Sequence, residues 1–146
     1  SAVKELAKSD VSITLIDRQN HHLFQPLLYQ VASGGLSATE IAQPLRYILS
    51  SQTNVRVIMD EVAGIDRGNR CVSLRKTGSL QYDYLVVGLG LKTSYFGNDA
   101  WEAHAPGLKS LDEATEIRRR ILMAFEQAEL TRGSEDSNTE IGFFYF

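Results

Sequence analysis

Apolar and polar positions alternate along this chain with periods that change several times, and each change predicts an element. Residues 1–8, with Val3, Leu6 and Ala7 on one side, read as the last two turns of a helix closed by Ser9-Asp10. Val11 to Ile16 has almost no polar interruption, the pattern of a strand covered on both faces in a parallel sheet. After a loop over 19–25, Pro26 suits the first turn of a short helix over Leu27 to Ala32, which Gly34-Gly35 end. A second short helix, about Pro44 to Ser50, carries Leu45, Ile48 and Leu49, and Asn54 to Met59 is the next strand.

The period then shortens. Glu61 to Asp66, Cys71 to Leu74 and Leu80 to Tyr82 are brief alternating runs separated by Arg67-Gly-Asn69 and Lys76-Thr-Gly78, the signature of an antiparallel meander. Tyr84-Leu-Val-Val87 reads as a return to the parallel sheet, followed by the turn Gly88-Leu-Gly90. Ser110-Leu-Asp-Glu113 is a capping box, and Ala114, Ile117, Ile121, Phe125 and Ala128 follow at helical spacing, which predicts a helix over 111–130. Residues 132–139 read as a linker and Ile141-Gly-Phe-Phe-Tyr-Phe146 as an apolar, strand-like run. Strand, helices, strand, antiparallel insert and strand together predict an α/β fold: a partial Rossmann-like domain with a parallel sheet, helices and a small β-meander.

Candidate chemistry sits where the first strand ends. Asp17 closes the apolar run and precedes a polar loop, the place where a dinucleotide-binding fold uses a carboxylate to accept hydrogen bonds from adenosine ribose hydroxyls. The alternative reading of Asp17 is a solvated strand-end carboxylate. The matching Gly-x-Gly-x-x-Gly turn belongs about 20 residues earlier, whereas sixteen residues precede Asp17. His21 and His22 are adjacent, so in an extended loop they point opposite ways and do not chelate one metal. No nucleophile elbow is present.

Composition alters this picture little. With 43% hydrophobic and 23% charged residues and a net charge of -3, the chain is ordinary globular material without the basic face that nucleic acid requires. The single cysteine, Cys71, excludes an intrachain disulfide and a Cys-x-x-Cys pair, and reads as a buried structural thiol. No apolar run approaches the roughly 18 residues of a membrane span.

Several stretches resemble one family closely. Leu15-Ile-Asp-Arg18, then His21-His-x-Phe-x-Pro-Leu-Leu-Tyr-Gln-Val-Ala-x-Gly34, Tyr82-Asp-Tyr-Leu-Val-Val-Gly-Leu-Gly90, Tyr95-Phe-Gly97, Pro106-Gly-Leu-Lys-x-Leu-x-x-Ala114 and Ile117-Arg-Arg-x-Ile-x-x-Ala-Phe-Glu126 are similar to type II NADH:quinone oxidoreductases. These are single-subunit, FAD-dependent dehydrogenases of the pyridine nucleotide-disulfide oxidoreductase superfamily. The resemblance implies that Asp17 binds the FAD ribose with Arg18 beside it, and that His22 lies near the cofactor. It implies that the backbone of Val62 meets the adenine, and that Gly88, Leu89 and Gly90 approach the flavin phosphate and ribityl chain. Leu89 stands where the superfamily has threonine, so no hydroxyl is offered there.

The resemblance implies an N-terminal-half fragment: 1–130 a partial FAD-binding domain without its first strand and Gly-rich turn, 131–146 a linker and a truncated or aberrant start of an NADH-binding domain. It implies that the parent protein passes electrons from NADH through FAD to a quinone, and that it sits peripherally on the cytoplasmic face of the inner membrane through segments outside this chain. A homodimer stays open. Two alternatives stand beside it. One is a related flavoprotein such as a sulfide:quinone oxidoreductase, whose chemistry uses cysteines beside the flavin and against which the lone Cys71 argues. The other is a chain with no activity of its own.

Overall fold

The parallel sheet expected from the sequence forms, but with two strands. The computed structural model describes residues 2–131. Along the chain these are α1 (Ala2–Glu5), continued by a 3-10 turn over Leu6–Lys8, β1 (Ile13–Asp17), β2 (His21–Leu23), α2 (Leu28–Ala32), α3 (Ala38–Ile41), β3 (Ala42–Pro44), α4 (Leu45–Ile48), β4 (Val55–Met59), β5 (Val62–Asp66), β6 (Cys71–Leu74), β7 (Gly78–Gln81) and α5 (Leu111–Thr131). The linker and the apolar run expected beyond 131 lie outside the described residues. Contacts divide the chain into two units: one runs up to His22 and again over Ala42–Leu89, the other over Leu23–Ile41 and from Gly90 onward.

In the first unit β1 and β4 run parallel in unbroken register from Ile13 opposite Val55 to Asp17 opposite Met59. The amide of Asn54 caps the approach to this sheet by donating to the carbonyls of Leu6, Ser9 and Val11, while Gln52 donates to Val3. β2 and β3 make a second two-stranded sheet, and β5, β6 and β7 form the antiparallel meander that the turn spacing predicts. Its inner face is Val72 and Leu74, both buried. Cys71, expected to be buried, is half-buried, because it stands at the strand end opposite Asp66 and Gln81 where neither side is covered. A bulge between Val62 and Gly64 shifts the β5 register by one residue.

Two expectations fail. Tyr84–Val87 is not a strand, and Tyr84 and Val86 are 91% and 79% exposed. β1 is half-buried and not covered on both faces. A strand exists only against a neighbour's backbone groups, and among the described residues β1 has one ladder, to β4.

In the second unit, Leu28, Val31 and Ala32 of α2 pack with Ile41 and Ala114 into a buried cluster edged by Leu23, Leu27, Leu36, Leu111 and Ile117. Pro26 lies in the first turn leading into α2. Gly34 ends it at φ +82°, a left-handed conformation that glycine adopts without steric cost. The α5 capping box closes both ways: Glu113 N–H donates to Ser110 Oγ, and Ser110 N–H donates to Glu113 Oε2 at 2.8 Å.

Candidate functional site

Asp17 and Met59 end the two parallel strands side by side, and ligands of open α/β sheets bind outside such carboxyl ends. Asp60 N–H donates to the Asp17 carbonyl at 3.0 Å, tying the chain after β4 to the end of β1. The Asp17 side chain is exposed. Its Oδ1 accepts from Gln19 N–H at 2.8 Å, a turn in which the carboxylate mimics a backbone acceptor. Oδ2 has no hydrogen-bond partner among the described residues. One oxygen therefore orients the group and the other remains available to a donor.

Arg18 is exposed on the loop after Asp17, and His22 is exposed in β2, which follows that loop. That loop is braced at Asn20, whose carbonyl accepts from Leu45 N–H and whose side chain accepts from Arg46. His21 Nε2 is buried and unpaired. Val62 opens β5 three residues past Met59, so the structure brings its backbone to the same strand end as Asp17. Gly88 and Leu89 belong to this unit but have no ladder tie to that end, and Gly90 begins the other unit. A β-carbon added at Gly88 or Gly90 would meet nothing within 4 Å.

Sequence reasoning missed Asp60, the described chain's buried charged group, 4% exposed. Its carboxylate accepts from Glu61 N–H at 2.7 Å, Lys76 N–H, Thr77 N–H at 2.9 Å and Thr77 Oγ1 at 2.8 Å. Burial disfavours the charge, but the hydrogen bonds from Thr77, Glu61 and Lys76 outweigh it and hold the carboxyl below its ordinary 3.8. Asp60 thus clamps the β6–β7 turn onto the segment between β4 and β5. The signal was present: an acid directly after an apolar strand, as at Asp17.

In the second unit Tyr95 Oη donates to the Ala105 carbonyl at 2.6 Å, anchoring the loop. Burial, with the charges of Glu102 and Glu113, raises the phenol's pKa. Phe96 and Trp101 remain exposed and His104 is a surface residue, so the aromatic cluster anchors through Tyr95 alone. Gly107 is buried, and a β-carbon there would collide with Thr93 and stand 2.8 Å from Glu113 Oε1, so the close packing at this position requires glycine. Among the described residues no three His, Cys, Asp or Glu side chains are grouped to hold a metal, and no helix is long and apolar enough to cross a membrane.

A parallel pair of strands ending in an oriented carboxylate, with a meander after the second strand, places the chain among the α/β oxidoreductases. Residues 1–127 match the pyridine nucleotide-disulphide oxidoreductase family, and the chain belongs to it. It is 51% identical over 138 residues to the type II NADH:quinone oxidoreductase Ndh of Mycobacterium tuberculosis, covering 92% of this chain and 30% of that protein. It is 31% identical over 147 residues to the mitochondrial external alternative NAD(P)H-ubiquinone oxidoreductase B1 of Solanum tuberosum, covering 93% of this chain and 26% of the relative. Among solved structures, NDH2 of Plasmodium falciparum in complex with NADH superposes with a TM-score of 0.76 at 26% identity, over 84% of this chain and 26% of that one. The sulfide:quinone oxidoreductase of Aquifex aeolicus superposes at 0.73 with 25% identity, over 82% of this chain and 27% of that one. The chain spans about 30% of the length of these relatives.

Proposed function

We propose that this chain supplies the adenosine-binding part of an FAD site in a protein that passes electrons from NADH to a quinone. The observation that carries the reading is the Asp17 carboxylate at the carboxyl end of the parallel pair, one oxygen held by Gln19 N–H and the other without a partner. A carboxylate accepts only, so it suits the two hydroxyl donors of a ribose. Arg18 on the loop after β1, His22 in β2 and the Val62 backbone beyond β4 complete the adenosine side. Gly88, Leu89 and Gly90 would follow the phosphate and ribityl chain.

When bound, FAD supplies the two-electron chemistry, and the protein supplies position and electrostatics. The names of the Mycobacterium and Solanum relatives support NADH as donor and a quinone as acceptor. From the sequence resemblance to type II NADH:quinone oxidoreductases we assign the whole protein a peripheral place on the cytoplasmic face of the inner membrane. The 146-residue chain, which spans 26–31% of the length of its relatives, is expected not to oxidise NADH by itself.

Titration of FAD into the purified chain, followed by flavin fluorescence, tests the reading. Saturable micromolar binding, weakened at least about tenfold by Asp17→Ala through loss of charge-assisted bonds, is the expected result. A folded chain that shows no binding, or an Asp17→Ala variant that binds equally, overturns it.

A further inference from the structure

The residue that sets the geometry of this strand end is one that does not lie on it. Arg46, in the first turn of α4, reaches back across the unit with two nitrogens. Its Nη1 donates to Asn20 Oδ1 at 3.0 Å, and its Nη2 donates to the Val57 carbonyl at 3.1 Å. The neighbouring Leu45 N–H donates to the Asn20 carbonyl at 3.0 Å. Asn20 is thus gripped at both its side chain and its backbone. It lies three residues after Asp17 and two before His22.

The arrangement needs arginine. A planar guanidinium offers several donors in a fixed fork, so one side chain spans a loop acceptor and a strand carbonyl, which the single nitrogen of lysine cannot do with the same geometry. The second anchor matters as much as the first. Val57 sits in β4 opposite Leu15 of β1, so Arg46 ties the loop to the very sheet whose end carries Asp17. The loop over residues 18–20 has no ladder of its own; it carries exposed Arg18 and leads directly into β2, where His22 is exposed. Binding to such a loop would carry the cost of ordering it.

We propose that Arg46 is a positioning residue of the adenosine site: through Asn20 it holds the loop over residues 18–20, and with it Arg18 and the start of β2 with His22, in binding geometry, and it touches no cofactor itself. This rests on the proposed FAD reading and adds to it the element that preorganises the site. The prediction concerns two readouts. Amide hydrogen exchange at Leu45 reports whether the loop stays docked, with no cofactor present. The dissociation constants of FAD and of ADP, which shares only the adenosine-diphosphate end, report whether docking serves binding.

In Arg46→Ala, exchange at Leu45 should accelerate and both FAD and ADP should bind about tenfold more weakly, the loss expected for one or two charge-assisted hydrogen bonds. Asn20→Ala should reproduce this, and the double variant should be no weaker than either single one, because both act through one contact. Asn20→Asp keeps the acceptor and should retain wild-type exchange. Unchanged exchange and affinity in Arg46→Ala, or additive losses in the double variant, overturn the proposal. Faster exchange with undiminished FAD and ADP binding overturns the link to the cofactor. Absence of FAD and ADP binding by the wild-type chain overturns the proposed function itself, and with it any role of Arg46 toward that ligand.

Discussion

Two aspartates follow two neighbouring strands and do opposite work. Asp17 is exposed and keeps an oxygen without a partner; Asp60 is buried and spends both oxygens on the turn at Lys76 and Thr77. Because the folded carboxyl of Asp60 lies below its ordinary 3.8, it contributes stability that is present above that value and lost as pH falls through the folded pKa. Glu116 behaves in the same sense: hydrogen bonds from Arg119 and Arg120 lower it from 4.5 to about 2, so its contribution fades between those values on acidification. Asp60→Asn should therefore lower the melting temperature at pH 7, and the gap to wild type should narrow as pH falls through the lowered pKa of the folded Asp60 carboxyl. Thermal melts across pH 7 to 2 check this; a gap of constant size would show that charge is not what the clamp uses.

At the scale of elements, short pieces are held by packing more than by propensity. Isolated helices under about 12 residues are marginal in water, and α2 has five residues. It persists because Leu28, 1% exposed, and Val31 insert against Ile41 and Ala114. Leu28→Ala should destabilise this unit by roughly 2–5 kcal/mol, the cost of a buried cavity, seen as a lower denaturation midpoint. The α5 helix differs, since its 21 residues, reciprocal Ser110–Glu113 cap and Glu116–Arg120 pair at i, i+4 support it locally. It should retain helical circular dichroism in the Leu28→Ala variant at temperatures where the α2 cluster has melted.

At the scale of the whole molecule, the apolar run through Tyr84, Val86, Val87 and Leu89 lies exposed and without a ladder. Unpaired apolar backbone of this kind templates association. The purified chain should self-associate as concentration rises, and the pair Val86→Lys and Leu89→Lys should suppress this in light scattering. Association unaffected by the two lysines would place the sticky surface elsewhere.

Local order was legible without coordinates wherever one residue type answers one backbone demand. The capping box named the start of α5, Pro26 and Gly34 bracketed α2, and turn residues at 67–69 and 76–78 marked the meander. The end of β1 at Asp17 was legible too, because the apolar run stops there. The tertiary structure alone decided what each element meets. It denied Tyr84–Val87 a strand, since hydrophobic patterning describes which faces seek burial and cannot supply a neighbour. It made Asp60 a clamp and Arg46 a brace, since those roles consist of partners 16–17 and 11–26 residues away in sequence, and no period or motif encodes a distance across the fold.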